Sequence, residues 1–201
     1  MIHNYLPTPE NLLANGIYQT PLAGLFFIAY QPQRDERGFY AELSRLPEIE
    51  AVTERPFVIK QINLSSSKQN VIRGFHAESW NKLITIMTGT AFCVWVDVRP
   101  NSPTFGEAVT MTMGESESAV QGSMFVSSGL ANSFCVLTGP LNYIYAVDAL
   151  YQNRDPSGDV AISLFDPDLN IPWPIPKAQL IFSPRDAQAV TLKAKFPEKF
   201  I

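Results

Sequence analysis

The feature that most constrains this chain is a series of short apolar segments, each of strand length and each closed by a turn former. Phe57–Ile62, Lys82–Met87, Ala91–Val98, Ala108–Met113, Ser123–Val126, Asn132–Leu137 and Asn142–Leu150 are rich in Val, Ile, Thr and aromatic residues. Gly89, Pro100-Asn101-Ser102-Pro103, Gly114, Gly129 and Gly139-Pro140 punctuate them. β-Branched and aromatic side chains fit a pleated, half-buried surface, whereas Gly and Pro supply the turns between such surfaces. Alternation supports the same reading. Phe92, Val94, Val96 and Val98 share one face, and Val109, Met111 and Met113 alternate with Thr110 and Thr112. Strands of this number and spacing predict an all-β fold, a sandwich or jelly-roll barrel. Helices are expected only at the periphery. Ala41–Pro47 is one candidate, and Ser183-Pro184-Arg185-Asp186 offers an N-cap, a first-turn proline and an acidic residue for another. The Pro-rich segment Asp166–Pro176 reads as an ordered surface strap, and without repeat or linker the 201 residues read as one domain.

Composition narrows the function. Hydrophobic residues make up 46% of the chain, enough for a sizeable core, which excludes a disordered chain. The formal charge of -4 offers no overall positive field toward nucleic acid or an anionic membrane, so an anionic ligand would depend on local arginines. No apolar run approaches the roughly 20 residues of a membrane-spanning helix. The start, Met1-Ile2-His3-Asn4, lacks the basic and apolar regions of a secretory signal, and the expected location is the cytoplasm. Cys93 and Cys135 lie inside apolar segments and are expected to be buried free thiols.

Histidine is the scarce chemical resource, with only His3 and His76 in the chain. A jelly-roll metal site needs several converging His, Glu or Asp ligands, so no metal is expected at His76. Gly-rich phosphate loops, zinc-type Cys pairs and a nucleophile elbow are missing from the sequence. What remains is His76 within Val71–His76. Arg73 lies three residues before it, and Gln61 and Asn63 alternate on the preceding strand. Polar side chains aimed into a barrel are costly unless paired or used by a ligand. Tyr143 and Tyr145 share a strand face, and Glu78 reads as an exposed loop residue rather than a second base.

Five motifs in order carry a family resemblance. Arg34–Glu42 resembles the D-x-R-G-x-F-x-E motif of the dTDP-4-dehydrorhamnose 3,5-epimerases, with Tyr40 where that motif has Phe. Gln61–Ser65 is similar to their Q-x-N-x-S, and Val71–His76 to their V-L-R-G-L-H. Asp97-Val98-Arg99 with Ser102–Gly106 resembles D-x-R…S-P-T-F-G, and Phe165–Pro167 with Ile171–Pro174 resembles D-P…I-x-W-P. The resemblance runs from about residue 22 to 187.

It implies a cupin-like jelly roll, a homodimer, and catalysis without metal or organic cofactor. By position, His76 would be the base that removes the proton beside a C-4 ketone, with Asp166 as its partner. Tyr145 would return a proton from the opposite face, and Lys82 would sit near the ketone oxygen. Arg37, Glu42, Gln61, Asn63 and Arg73 would contact the nucleotide sugar. Each residue also has a plainer use: Arg37 as a surface charge, Asp166 as a turn residue before Pro167, Lys82 as a solvated lysine. The chain departs from the family where F-A-H-G-F becomes Leu130–Phe134, with Asn132 in place of histidine as a substrate contact that can hydrogen-bond but carries no charge, and where Y-K-x-T becomes Tyr145–Asp148. The connection from His76 to Lys82 is also short. These changes resemble a divergent branch reading H-A-E-x-W-x-K and N-S-[YF], some of whose members act on GDP-linked sugars. The expected activity is epimerisation of a nucleotide-linked 4-keto-6-deoxy sugar at C-3, C-5 or both. A 3,4-ketoisomerase, a non-catalytic nucleotide-sugar binding module and, last, a metal-dependent cupin oxygenase are the alternatives.

Overall fold

The computed structural model describes residues 1–153 and 156–200. Its strands are β1 (Ile2–Asn4), β2 (Leu12–Ala14), β3 (Ile17–Gln19), β4 (Leu25–Ala29), β5 (Gln33–Asp35), β6 (Gly38–Tyr40) and β7 (Gln61–Ser67). They continue as β8 (Ile72–Ala77), β9 (Lys82–Asp97), β10 (Ala108–Gly114), β11 (Gly122–Val126), β12 (Leu130–Val147) and β13 (Val160–Ala161). Three short helices, α1 (Leu46–Thr53), α2 (Pro184–Ala187) and α3 (Leu192–Lys195), lie among them. Among the described residues no helix is long and apolar enough to cross a membrane.

Two long strands organise the fold. β9 and β12 pair antiparallel along their whole lengths, from Leu130 opposite Asp97 to Val147 opposite Lys82. Gly89 and Gly139-Pro140, expected to end strands, lie within the two ribbons instead. A Cβ on Gly89 would stand 2.5 Å from the carbonyl oxygen of Thr138, so the close approach of the ribbons there requires glycine. The pairing shifts register between Val136 and Tyr143, and the ribbons pass together from one half of the 11-stranded sheet to the other. One half holds the first part of β12 against β8 and the last part of β9 against β10, with β13 and β1 at its edges. The other holds the last part of β12 against β7 and the first part of β9 against β11, β4, β3 and β2.

Period-two alternation fills three cores. Cys93, Trp95, Val109, Met111, Met113, Met124 and Phe27 face inward between the halves. Val94, Val96 and Val98 face outward and are covered by Ile162, Leu164, Leu169, Leu180 and Leu192 of the C-terminal segment. Ile28 and Phe125 pack outward under Ile49 of α1 and Phe57. The strap is ordered as expected: Ile171, Trp173 and Ile175 pack on the outward core, and Trp173 Nε1 donates to the Leu164 carbonyl at 2.7 Å.

Cys93 and Cys135 are buried free thiols. Burial pushes both upward, Cys135 to about 11.

Two local expectations change. The first helix covers Leu46–Thr53, not Ala41–Pro47, because Pro47 stands in its first turn, where a missing N–H costs nothing. The segment expected as a strand from Phe57 becomes one only at Gln61. Its start is tied instead to α1 and the core: the Phe57 N–H donates to Glu50 Oε1 at 2.7 Å, and its ring meets Phe125 edge-on at 5.2 Å.

Candidate active site

β7, β8, β9, β12 and α2 enclose a cleft of about 540 Å³. Its lining includes Arg73, His76, Glu78, Lys82, Asn132, Tyr143, Tyr145, Arg185 and Asp186. Sheet register brings most of these together. Asn132 of β12 pairs with His76 of β8 and Phe134 with Arg73, so between these pairs one residue of β12, Ser133, faces two of β8, Gly74 and Phe75. The extra residue falls at Gly74, whose φ is +121° and where a Cβ would meet the Asn132 carbonyl oxygen at 2.6 Å. Glycine therefore lets β8 lie close to β12 and aims His76 across the cleft.

His76 is held by a residue 110 positions away. Its Nε2 lies 2.8 Å from Asp186 Oδ1. Asp186 is fixed in turn by α2, whose N-cap Ser183 accepts the Asp186 backbone N–H through Oγ at 3.1 Å. Burial acts to raise the Asp186 carboxyl. Hydrogen bonds from His76 and Ser183, with the charges of His76 and Arg185, outweigh it and hold the group below the usual carboxylate range. A charged Asp186 accepts the Nε2–H, which leaves the imidazole lone pair at Nδ1.

Asp166, expected as the partner of His76, has another task. Its Oδ1 accepts the backbone N–H groups of Asp168 at 2.8 Å and Leu169 at 3.1 Å, and its Oδ2 accepts that of Leu192 at 2.5 Å. Fully engaged by main-chain donors, it ties the strap to the start of α3 and lies outside the cleft lining.

The cleft also holds a polar chain. Lys82 is only 5% exposed, donates to Asn132 Oδ1 at 2.5 Å and to the His76 carbonyl at 3.4 Å, and forms an ion pair with the Glu78 carboxylate. Asn132 Nδ2 reaches the Tyr143 hydroxyl at 3.4 Å. Tyr143 stacks on Phe134 with centroids 4.7 Å apart, and Tyr145 is tilted against it at 5.9 Å. Burial, with the Glu78 charge second, raises the Tyr145 phenol, so it stays protonated at neutral pH. Glu78, read from sequence as an exposed loop residue, instead lines the cleft with a side chain 19% exposed. Lys82 is likewise a cleft residue rather than a solvated one.

Arg73 lines the cleft and its Nε donates to Ser67 Oγ at 3.0 Å. Gln61 and Asn63 bond each other at 2.6 Å on the face of β7 that also carries Ser65, beyond the cleft lining itself. Arg37 and Glu42 are not brought to the cleft. Arg37 is bound to Asp35 on the separate β5–β6 hairpin with a side chain 85% exposed, and Glu42 pairs with Arg45.

The Asp97 motif is architectural: Asp97 accepts from Arg99 Nε at 2.8 Å, Ser102 Oγ at 2.5 Å and Thr104 Oγ1 at 2.6 Å, closing the β9–β10 turn. Among the described residues no three His, Cys, Asp or Glu side chains converge as a metal site.

Sequence reasoning missed Asp186 and Arg185. Ser183–Asp186 was legible as a helix start, and that same acidic first turn is what supplies the carboxylate.

Comparison with known proteins finds likeness along most of the chain. The family model described as dTDP-4-dehydrorhamnose 3,5-epimerase matches residues 19–194. A dTDP-4-dehydrorhamnose 3,5-epimerase of Neisseria gonorrhoeae is 32% identical over 193 residues, covering 91% of this chain. The chain spans 56% of that relative's length. The fold is similar to a dTDP-6-deoxy-D-glucose-3,5-epimerase of Legionella pneumophila in complex with dTDP-4-keto-L-rhamnose. That likeness has a TM-score of 0.79 and 31% identity, over 90% of this chain and 95% of the other. It is also similar to a 3'-monoepimerase of Streptomyces bikiniensis in complex with dTDP-quinovose, at TM-score 0.78 and 26% identity, over 90% and 89%.

Proposed function

Because the chain belongs to the dTDP-4-dehydrorhamnose 3,5-epimerase family, we propose that it is a cofactor-independent epimerase of a nucleotide-linked 4-keto-6-deoxy sugar, inverting C-3, C-5 or both. The observation that carries this reading is the His76–Asp186 couple on the wall of the cleft that also holds Tyr145 and Lys82.

The chemistry follows from these positions. A C–H beside a ketone is weakly acidic, and removing its proton puts charge on the ketone oxygen as an enolate. His76 takes the proton at Nδ1, while Asp186 holds the ring and stabilises the imidazolium that forms. Lys82 meets the enolate oxygen, a contribution of about 10²–10³ in rate for a well-placed donor. Tyr145 gives its phenolic proton to the carbon from the opposite face, and the centre inverts. Arg73 and Arg185 meet the diphosphate, which an overall negative protein would otherwise repel. dTDP is the expected nucleotide, and cytoplasm the expected setting. Arg37 and Glu42 lie outside their own cleft, so their role in binding fits a homodimer in which the β5–β6 hairpin reaches the partner's cleft.

The test is product identity. The protein is incubated with dTDP-4-keto-6-deoxyglucose, or its GDP-linked counterpart, then reduced with borohydride, and the hexoses are separated. Hexoses inverted at C-3 or C-5 are expected. A 3-keto product would make the protein a ketoisomerase, and an unaltered sugar that still binds would make it a binding module.

A further inference from the structure

The cleft holds a second carboxylate, Glu78, that the reaction above leaves without a task. It follows His76 by two positions, and its backbone is held firmly. The Glu78 carbonyl accepts the Gly129 N–H at 3.0 Å and the Ser128 hydroxyl at 3.4 Å, both from the β11–β12 turn. The side chain points into the cleft, where Oε2 is buried against the Lys82 ammonium. Among the described residues no hydrogen bond reaches its other oxygen, Oε1. Glu78 lines the same cleft wall as His76, Lys82 and Tyr145, and after burial its charge is the next influence raising the Tyr145 phenol.

An ammonium and a carboxylate side by side present one donor and one acceptor. That pair matches a ketone beside a hydroxyl-bearing carbon: the carbonyl oxygen accepts from lysine, and the hydroxyl donates to the carboxylate. An ionised carboxylate only accepts, so it rewards a hydroxyl and gives nothing to a methylene or an ether at the same place. In a 4-keto-6-deoxyhexose the hydroxyl next to the ketone is on C-3, because C-5 carries the ring oxygen and the methyl group. Holding both groups also fixes the sugar ring against His76 before proton removal.

We propose that Glu78 is a specificity-determining residue: its free carboxylate oxygen accepts the hydrogen of the C-3 hydroxyl while Lys82 holds the C-4 ketone, restricting the site to α-hydroxy ketones. The inference rests on the epimerase reading of the cleft.

The experiment compares dTDP-4-keto-6-deoxyglucose with its 3-deoxy counterpart, using wild type and Glu78→Gln. Enzyme-dependent deuterium uptake gives kcat/KM for each, at whichever carbon wild type labels. Retained dTDP binding by calorimetry verifies the folded cleft. Wild type should favour the hydroxyl-bearing ketone by about 10–100-fold, the value of a hydrogen bond to a charged group. In E78Q the preference should shrink to about fivefold or less, since the loss of charge weakens that one bond. Because any effect on Lys82 falls on both ketones, the ratio isolates the hydroxyl contact. A wild type that treats the two ketones alike overturns the inference without recourse to any variant, and so does an E78Q enzyme that keeps the full preference. Deuterium uptake from neither ketone overturns the epimerase reading, and this inference with it.

Discussion

The imidazole Nε2 of His76 on β8 lies 2.8 Å from Oδ1 of Asp186 on α2, so the C-terminal segment that covers the outward core also completes the cleft. Asp186→Asn keeps the shape but removes the charge that supports the imidazolium. Its kcat should fall by about 10²–10⁴, the range of general-base catalysis, with KM changed far less. Asp166→Asn should do the reverse. Turnover should persist while chemical denaturation reports a loss of about 1–3 kcal/mol, because three main-chain donors lose their anionic acceptor. Steady-state kinetics and unfolding curves of the two variants separate the roles.

Tyr145→Phe leaves the base in place and removes the acid. His76 can still take a proton and return it from the same face. Deuterium should therefore enter the sugar at a measurable rate, while inverted product falls by about 100-fold or more. Proton NMR of the recovered sugar, set beside product chromatography, checks the split.

Asp97 makes an acid-side stability prediction. Burial alone would raise its carboxyl, but hydrogen bonds from Arg99, Ser102 and Thr104 bring it below the usual range. A folded-state value lowered in this way contributes stability that is fully present above the unfolded value of about 3.9. That stability is lost as pH falls through the still lower folded value. Asp97→Asn should cost about 2–4 kcal/mol at pH 7 and flatten the fall in melting temperature below pH 4, as followed by thermal unfolding from pH 2.5 to 7.

Arg37 and Glu42 make a prediction about assembly. If the β5–β6 hairpin serves a second copy's cleft, Arg37→Ala and His76→Ala are each inactive or weak as pure samples. Mixed subunits should recover activity, since one of the two clefts in a mixed dimer then carries both native residues. Activity assays after co-refolding the two variants check this, and no recovery would return Arg37 to a surface charge.

Much of this was legible in the residues. The strand segments, the inward and outward faces of Ala91–Val98, the buried cysteines and the N-cap at Ser183 follow from local alternation and capping, which depend on near neighbours. Gly89 and Gly139-Pro140 did not end strands, because the two bends lie against each other and the long ribbons turn as a pair. That is a property of the pairing, which neither segment displays alone. Asp166 and Asp186 differ in the same way. Both stand in plausible turn contexts, and only the path of the strap decides which one reaches β8 and which one is consumed by backbone N–H groups. Glu78 shares the period-two spacing of His76, but it stands in the short connection to Lys82, and only the packing of the β11–β12 turn on that connection shows that it is not a solvated loop.

The central claim is that His76 removes a proton beside the ketone. Proton NMR in deuterated buffer with dTDP-4-keto-6-deoxyglucose, comparing wild type with His76→Ala, tests it most directly. The account predicts enzyme-dependent deuterium at C-3, C-5 or both with wild type, and uptake at least about 100-fold slower with the variant. Equal uptake by the two proteins would contradict it.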